Sequence, residues 1–324
     1  MKNSIPARCA RFLLREKIFT ALLIMFIGVS FAAKSFLTWG NINNLMIQIG
    51  LYGIVALGMT FAIIGGDFDL GAGSMVSCAS VLIAILMRRM PMIPAILITL
   101  LFSTVSGFLN GILVAYQKIN SFIVTFGSMI MLKGIALSLG GGKPISTYDC
   151  VTFNGIATAS VCGISLIFII FFVLLLVCHY ILTYTSFGRN IYAIGGNYEV
   201  AKSTGIKVNF YKMILFVMTG LFAGIGGVLM ASRITSGHPT VGDDMTMTVI
   251  AGVVIGGTSL AGGKGNVWRT LLGITVMMFL ANAFDAMVIR PYIQRIIKGL
   301  IIILVVAFDS YTKKNSEFGK KLFG

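Results

Sequence analysis

The chain is a succession of uninterrupted apolar runs about 17–25 residues long, and at 1.5 Å per residue each can cross the roughly 30 Å hydrocarbon core of a bilayer. A transmembrane barrel would instead show alternating strands of roughly ten residues. Composition points the same way, with 57% hydrophobic and 11% charged residues and a mean hydropathy of +0.96. Soluble domains carry about a quarter charged residues, and this composition on a soluble surface would leave apolar patches uncovered. Lipid offers the backbone no hydrogen bonds, so each segment must satisfy its own, as a helix does. The expected fold class is all-α, a polytopic transmembrane helical bundle.

About ten spans are expected from this spacing. They run near Ile18–Ala33, Ile42–Ile64, Leu70–Met87, Ile93–Tyr116, Phe122–Leu139, Gly163–Leu182, Met213–Ser232, Met245–Ala261, Thr270–Ile289 and Ile293–Phe308. Residues 1–17 read as a tail, 18–309 as one transmembrane domain carrying a polar loop at 184–212, and 310–324 as a second tail. The other connections are too short for a soluble domain. The basic lead-in (Lys2, Arg8, Arg11, Arg15, Lys17) and Ser30-Phe31-Ala32 resemble a signal peptide with its cleavage site. With many spans following, the segment is read as an uncleaved first helix.

Lys and Arg are enriched in cytoplasmic loops. With the first residue inside, sixteen of them fall on inner segments and six (Lys34, Arg88, Arg89, Lys143, Arg233, Arg290) on outer ones. Lys133, Arg295 and Lys298 fall inside spans. Both ends are therefore expected in the cytoplasm, and the excess charge of +15 on a face that meets anionic lipid rather than nucleic acid. Arg88-Arg89 outside and the acidic turn Gly65-Gly66-Asp67-Phe68-Asp69 inside fit this topology badly. A broken or re-entrant segment near 65–90 would reconcile both, since glycine-interrupted backbone is tolerated where it lines an enclosed cavity.

The titratable residues are few. Of ten acids, only Asp67, Asp69 and Asp285 fall within or near the membrane, and His179 and His238 sit at loop edges, which gives weak support for a proton relay. Gly262-Gly263-Lys264-Gly265 lacks the remaining residues of a phosphate-binding loop, so any ATP must be bound by another chain. No nucleophile elbow is present, and no enzyme activity or cofactor is expected. The five cysteines show no metal-type spacing; Cys150 and Cys162 could meet after the fifth span, though small buried apolar roles explain them more simply. Gly107/Gly111, Gly220/Gly224 and Gly252/Gly256 have the small-xxx-small spacing of closely packed helices. In the polar interruption Tyr184–Lys212, Asn197 is placed to cap a short helix over Tyr198–Thr204 that Gly205 closes. A plain connector needs no such pattern, and docking of a partner is the reading it supports.

Several stretches in order resemble the permease subunits of ribose-type ATP-binding-cassette importers, over about residues 42–309. They are Asp69-Leu70 with Gly73-Ser74, Asn110-Gly111-Ile112-Leu113-Val114-Ala115, Phe122-Ile123-Val124-Thr125-Phe126-Gly127-Ser128-Met129, Thr185 through Gly205, Val253 through Leu260 with Gly262-Gly263-Lys264-Gly265, and Ile296-Ile297-Lys298-Gly299. The likeness departs at Gly71-Ala72, Asn120-Ser121, Arg269, and at Thr246 and Thr248, where family members often carry acids.

The resemblance implies a homodimeric, multi-pass bacterial inner-membrane protein that passes a sugar or a related solute such as autoinducer-2. A periplasmic sugar-binding protein would dock outside. An ATPase subunit would dock inside, on Phe187, Gly188, Arg189, Gly195, Gly196, Asn197, Glu199, Ala201 and Gly205. Asn110, Asn120, Ser121 and Thr125 are candidates for the translocation path, because uncharged hydrogen-bonding groups suit a hydroxyl-rich solute; the same groups also join helices. Two alternatives stay open: a secondary carrier or facilitator for a small polar solute, and a membrane scaffold that transports nothing.

Overall fold

The structure is a computed structural model that describes residues 36–304 and 307. The expected first span and both tails lie outside the described residues. Helix α1 (Trp39–Ile64) is buried on nearly every side. It is followed by α2 (Ala72–Leu86), α3 (Met92–Ala115) and α4 (Ser121–Gly140). A connecting segment holds β1 (Ile145–Ser146), α5 (Val151–Thr158), β2 (Ser160–Val161) and β3 (Ile164–Ser165). Then come α6 (Leu166–Tyr184), α7 (Ser186–Gly196), α8 (Tyr198–Ser203), α9 (Val208–Ile234), β4 (Ser236–Gly237), α10 (Met245–Ile255), α11 (Val267–Ala286) and α12 (291–304).

Six of these helices, α1, α3, α4, α6, α9 and α11, are long and apolar enough to cross a membrane. Helices α2 and α10 are equally apolar but only 15 and 11 residues long. The chain is therefore broken after Ile64 and again after Ile234. The shortness of α10 was not legible: a full span was expected over Met245–Ala261, but the helix stops at Ile255 and the glycine-rich stretch to Asn266 is not helical. The polar loop also differs from expectation, because residues Ser186–Gly196 form a helix of their own.

The two breaks belong to an inverted pair of units. Helices α1, α2 and α3 have 26, 15 and 24 residues, and α9, α10 and α11 have 27, 11 and 20. Helix α1 runs antiparallel to α9: Gly65 lies against Leu215, Gly58 against Thr219 and Phe222, and Val55 against Gly226. Packing is crossed, with α2 and α3 on α9, and α10 and α11 on α1. Each unit then turns through a non-glycine residue in the left-handed region, Lys118 (φ 56°) before α4 and Val288 (φ 55°) before α12. A β-branched residue there is uncommon, so the shared turn is a further sign of common design.

Glycine sets the closeness of this packing. A Cβ on Gly107 or Gly220 would meet the backbone carbonyl of Phe216 or Ser103, so the α3–α9 crossing brings the two predicted glycine pairs onto one seam. Gly252 and Gly256 do the same for α10 on α11. Between membrane helices, where lipid removes the hydrophobic drive to associate, such backbone approach supplies the packing energy. The described cysteines are all free; Cys78 and Cys178 are buried, whereas Cys162 is exposed.

Candidate functional site

Helices α7 and α8 cap one end of the bundle. The Thr185 hydroxyl accepts from Gly188 N and caps α7, and the Asn197 side chain accepts from Val200 N at 3.1 Å and caps α8. Gly205 (φ 82°) closes α8, as expected for a glycine after a helix end. Ala201 is buried with Ile194 and Val208, which fixes α8 against α7 and the start of α9. Phe187 stacks on Tyr211 at 5.4 Å, and Asn190 Nδ2 donates to the Tyr211 hydroxyl at 2.6 Å. Arg189, Gly196, Asn197 and Glu199 stay exposed.

The unit is joined to the bundle by backbone contact. Gly195 lies so close to Ile64 and Gly263 that a Cβ would strike the Ile64 carbonyl, and Gly262 lies against Gly66 and Gly195. Gly263 N donates to Ile64 O at 2.8 Å. Tyr192, missed by the sequence reading, donates its hydroxyl to Gly265 O at 2.8 Å, and burial holds its phenol above the ordinary pKa, so it remains a donor at neutral pH. The expected docking residues thus share one two-helix unit, with Gly188 and Ala201 buried within it, resting on the end of α1 and the glycine-rich loop after α10.

A cleft of about 630 Å³ opens at this same end, bounded by the ends of α1 and α3 and the starts of α4 and α9. Glu199, Asn120 and Ser121 line it, and inside it Lys212 Nζ sits 2.8 Å from Asp67 Oδ2, an ion pair rather than a well-aligned hydrogen bond. The Lys212 ammonium also lies 5.8 Å over the Tyr198 ring of α8. Asn110 and Thr125 are elsewhere. Asn110 is buried and donates to Ser128 Oγ at 3.1 Å across the α3–α4 contact, and Thr125 is buried on its own backbone, donating to Ser121 O at 2.7 Å.

Deeper in the bundle the two breaks meet. Asp69 is buried, accepting from Gly71 N at 2.8 Å and from the Thr219 hydroxyl, near the middle of α9, at 3.0 Å. Gly73 N donates to Thr246 Oγ1 at 2.8 Å, and Gly242 N donates to Ser77 Oγ at 2.8 Å, so the first turn of α2 and the lead-in to α10 each rest on a side chain of the other short helix. Beside this junction two acids on the α10 lead-in carry partners: Lys133 with Asp243 at 2.8 Å and Arg295 with Asp244 at 3.0 Å. Sequence reasoning set these cations aside; their position inside apolar spans was the available signal, since charges at that depth need a partner.

Residues 41–306 match the family described as "Branched-chain amino acid transport system / permease component". The chain belongs to this family. The permease is 37% identical over 321 residues to the ribose import permease protein RbsC of Haemophilus influenzae, covering 97% of this chain and 99% of that one. It is 34% identical over 299 residues to the L-arabinose transport system permease protein AraH of Escherichia coli, covering 90% and 89%, and 34% identical over 319 residues to its galactose/methyl galactoside import permease protein MglC, covering 92% and 95%. No solved structure matches the permease. It is a multi-pass membrane protein of transport.

Proposed function

We propose that this chain is the inner-membrane permease subunit of an ATP-driven sugar importer, working with a separate ATPase. The observation that carries this reading is near-full-length likeness to permeases named for ribose, arabinose and galactose. The family description names amino acids, but the relatives matched from end to end are named for sugars, and the substrate class follows them.

The geometry supports the coupling part. Helix α8 exposes Glu199 beside the cleft while Gly195, against Ile64 and Gly263, ties α7 to the end of α1 and the loop after α10. An ATPase pushing on Phe187–Gly205 would act on both broken units at once. Asn120 and Ser121 are proposed at the inner mouth of the path, whereas Asn110 joins α3 to α4 beside it and Thr125 bonds within α4. About ten segments, counting 18–33, the two short helices and α12, with both tails cytoplasmic, keep α7–α8 on the ATPase side. A second copy completing the path and a periplasmic sugar-binding protein complete the assembly. ATP would shift it between outward- and inward-facing states through differential affinity of the partners.

Gentle detergent extraction of the tagged chain, with mass spectrometry of what co-purifies, tests this. A stoichiometric ATPase that is lost when 184–212 is replaced is the expected result. A stable chain that brings down no ATPase, with uptake that collapses with the proton gradient, would establish the secondary carrier instead.

A further inference from the structure

At the end of the bundle opposite α7 and α8 lies a second cleft, of about 500 Å³, bounded by the start of α1, the ends of α9 and α11, and α12. Under the inverted repeat these are the counterparts of the elements bounding the first cleft. Asn44, Arg233 and Asp285 stand at its mouth, near helix ends. Gln48 and Tyr52 stand about 14 and 20 Å along α1 from its first residue, and Lys298 about 10 Å along α12, at 1.5 Å per residue.

Seven of the thirteen lining side chains carry hydrogen-bonding groups, which a lipid-facing groove would not retain. The mouth is already satisfied: Arg233 donates to Asn44 Oδ1 at 2.9 Å, and Gln294 donates to Asp285 Oδ1 at 3.0 Å. The deeper groups are not. The Gln48 amide, the Tyr52 hydroxyl and the Lys298 ammonium make no hydrogen bond among the described residues. Leu51, Met230 and Met278 form an apolar wall beside them.

We propose that this cleft is the entry subsite of the path, where a monosaccharide is received from the outer face by Gln48, Tyr52 and Lys298. The chemistry is that of a neutral polyol: an amide that donates and accepts, a phenol that does both, an ammonium that only donates, and an apolar wall for the carbon face of the ring. The volume lies in the range of small-ligand pockets, roughly 300–1,000 Å³. The inference rests on the permease reading above and adds to it where the solute is first held.

The test uses cells expressing the complete importer, with the exposed Cys162 and half-buried Cys150 replaced by Ser. Gln48→Cys should react from outside with a charged, membrane-impermeant methanethiosulfonate, and saturating D-ribose, L-arabinose or D-galactose should slow that reaction; Leu97→Cys, on the outer face of α3, should stay unlabelled. Gln48→Leu and Tyr52→Phe should each raise the uptake KM about fivefold, one neutral hydrogen bond's worth, with the ATPase still bound. An unreactive Gln48→Cys, or parent-like KM in both uptake variants, overturns the proposal. Should the parent import none of these sugars, the assignment of these three substrates fails by itself, and labelling at Gln48→Cys still decides whether the cleft admits water.

Discussion

A single ion pair shows how the α7–α8 unit is tied to the bundle. Lys212 and Asp67 are 19% and 7% exposed in their side chains, and Lys212 also covers Tyr198 of α8. Removing one partner from a buried pair leaves an uncompensated charge, at a cost of up to about 3–5 kcal/mol, while replacing both by groups of similar volume costs little. Lys212→Met should therefore lower the thermal midpoint of the purified chain in detergent, and Lys212→Met with Asp67→Asn should restore most of it. A double variant as unstable as the single one would show that Lys212 matters only through its contact with Tyr198. The caps of α8 were legible in the sequence, because Asn197 and Gly205 carry local capping chemistry that does not depend on the rest of the fold. Tyr192, Asp67 and Lys212 were not, because their partners lie 73 and 145 residues away and no local pattern announces them.

At the scale of elements, apolar content identified the membrane helices and misjudged α10. Eleven residues of α10 followed by a glycine-rich turn look the same as one span when only hydropathy is read. What distinguishes them is the junction, where the first turn of α2 and the lead-in to α10 each rest on a side chain of the other short helix. The Thr246 hydroxyl accepts from Gly73 N at 2.8 Å and donates to Leu70 O at 3.2 Å. Thr246→Val keeps the shape and strands the Gly73 donor, which should destabilise the chain by about 1–3 kcal/mol. Thr248 is buried too, but it donates only to Asp244 O one turn back. Thr248→Val should change the melting midpoint far less in the same assay, and equal losses would place the effect in general packing rather than in the junction.

For the whole molecule, the inverted repeat assigns sides. One cleft opens beside α7 and α8 and its counterpart at the far end, with the junction of short helices between them. The surface flanking that junction carries Lys133–Asp243 and Arg295–Asp244, with side chains 33–70% exposed. Charges left open at this depth are expensive against lipid, even at the lower scale of about 2.5–3.5 kcal/mol each. That face therefore fits against water or the second copy of the chain proposed above, and the lipid boundary belongs to the faces of α3 and α6 that expose Leu97, Leu101, Val173 and Val177. Sidedness can be read with a cysteine already present. Cys162 is exposed at the far end, whereas Cys78 and Cys178 are buried among helices. With Cys9 and Cys150 replaced by Ser, an impermeant thiol reagent should label Cys162 in intact cells. Lys207→Cys, between α8 and α9, should react only after the inner membrane is opened, once Cys162 has been replaced. The reverse pattern would place α7 and α8 outside, away from any cytoplasmic ATPase, and would remove the physical basis for coupling through Phe187–Gly205.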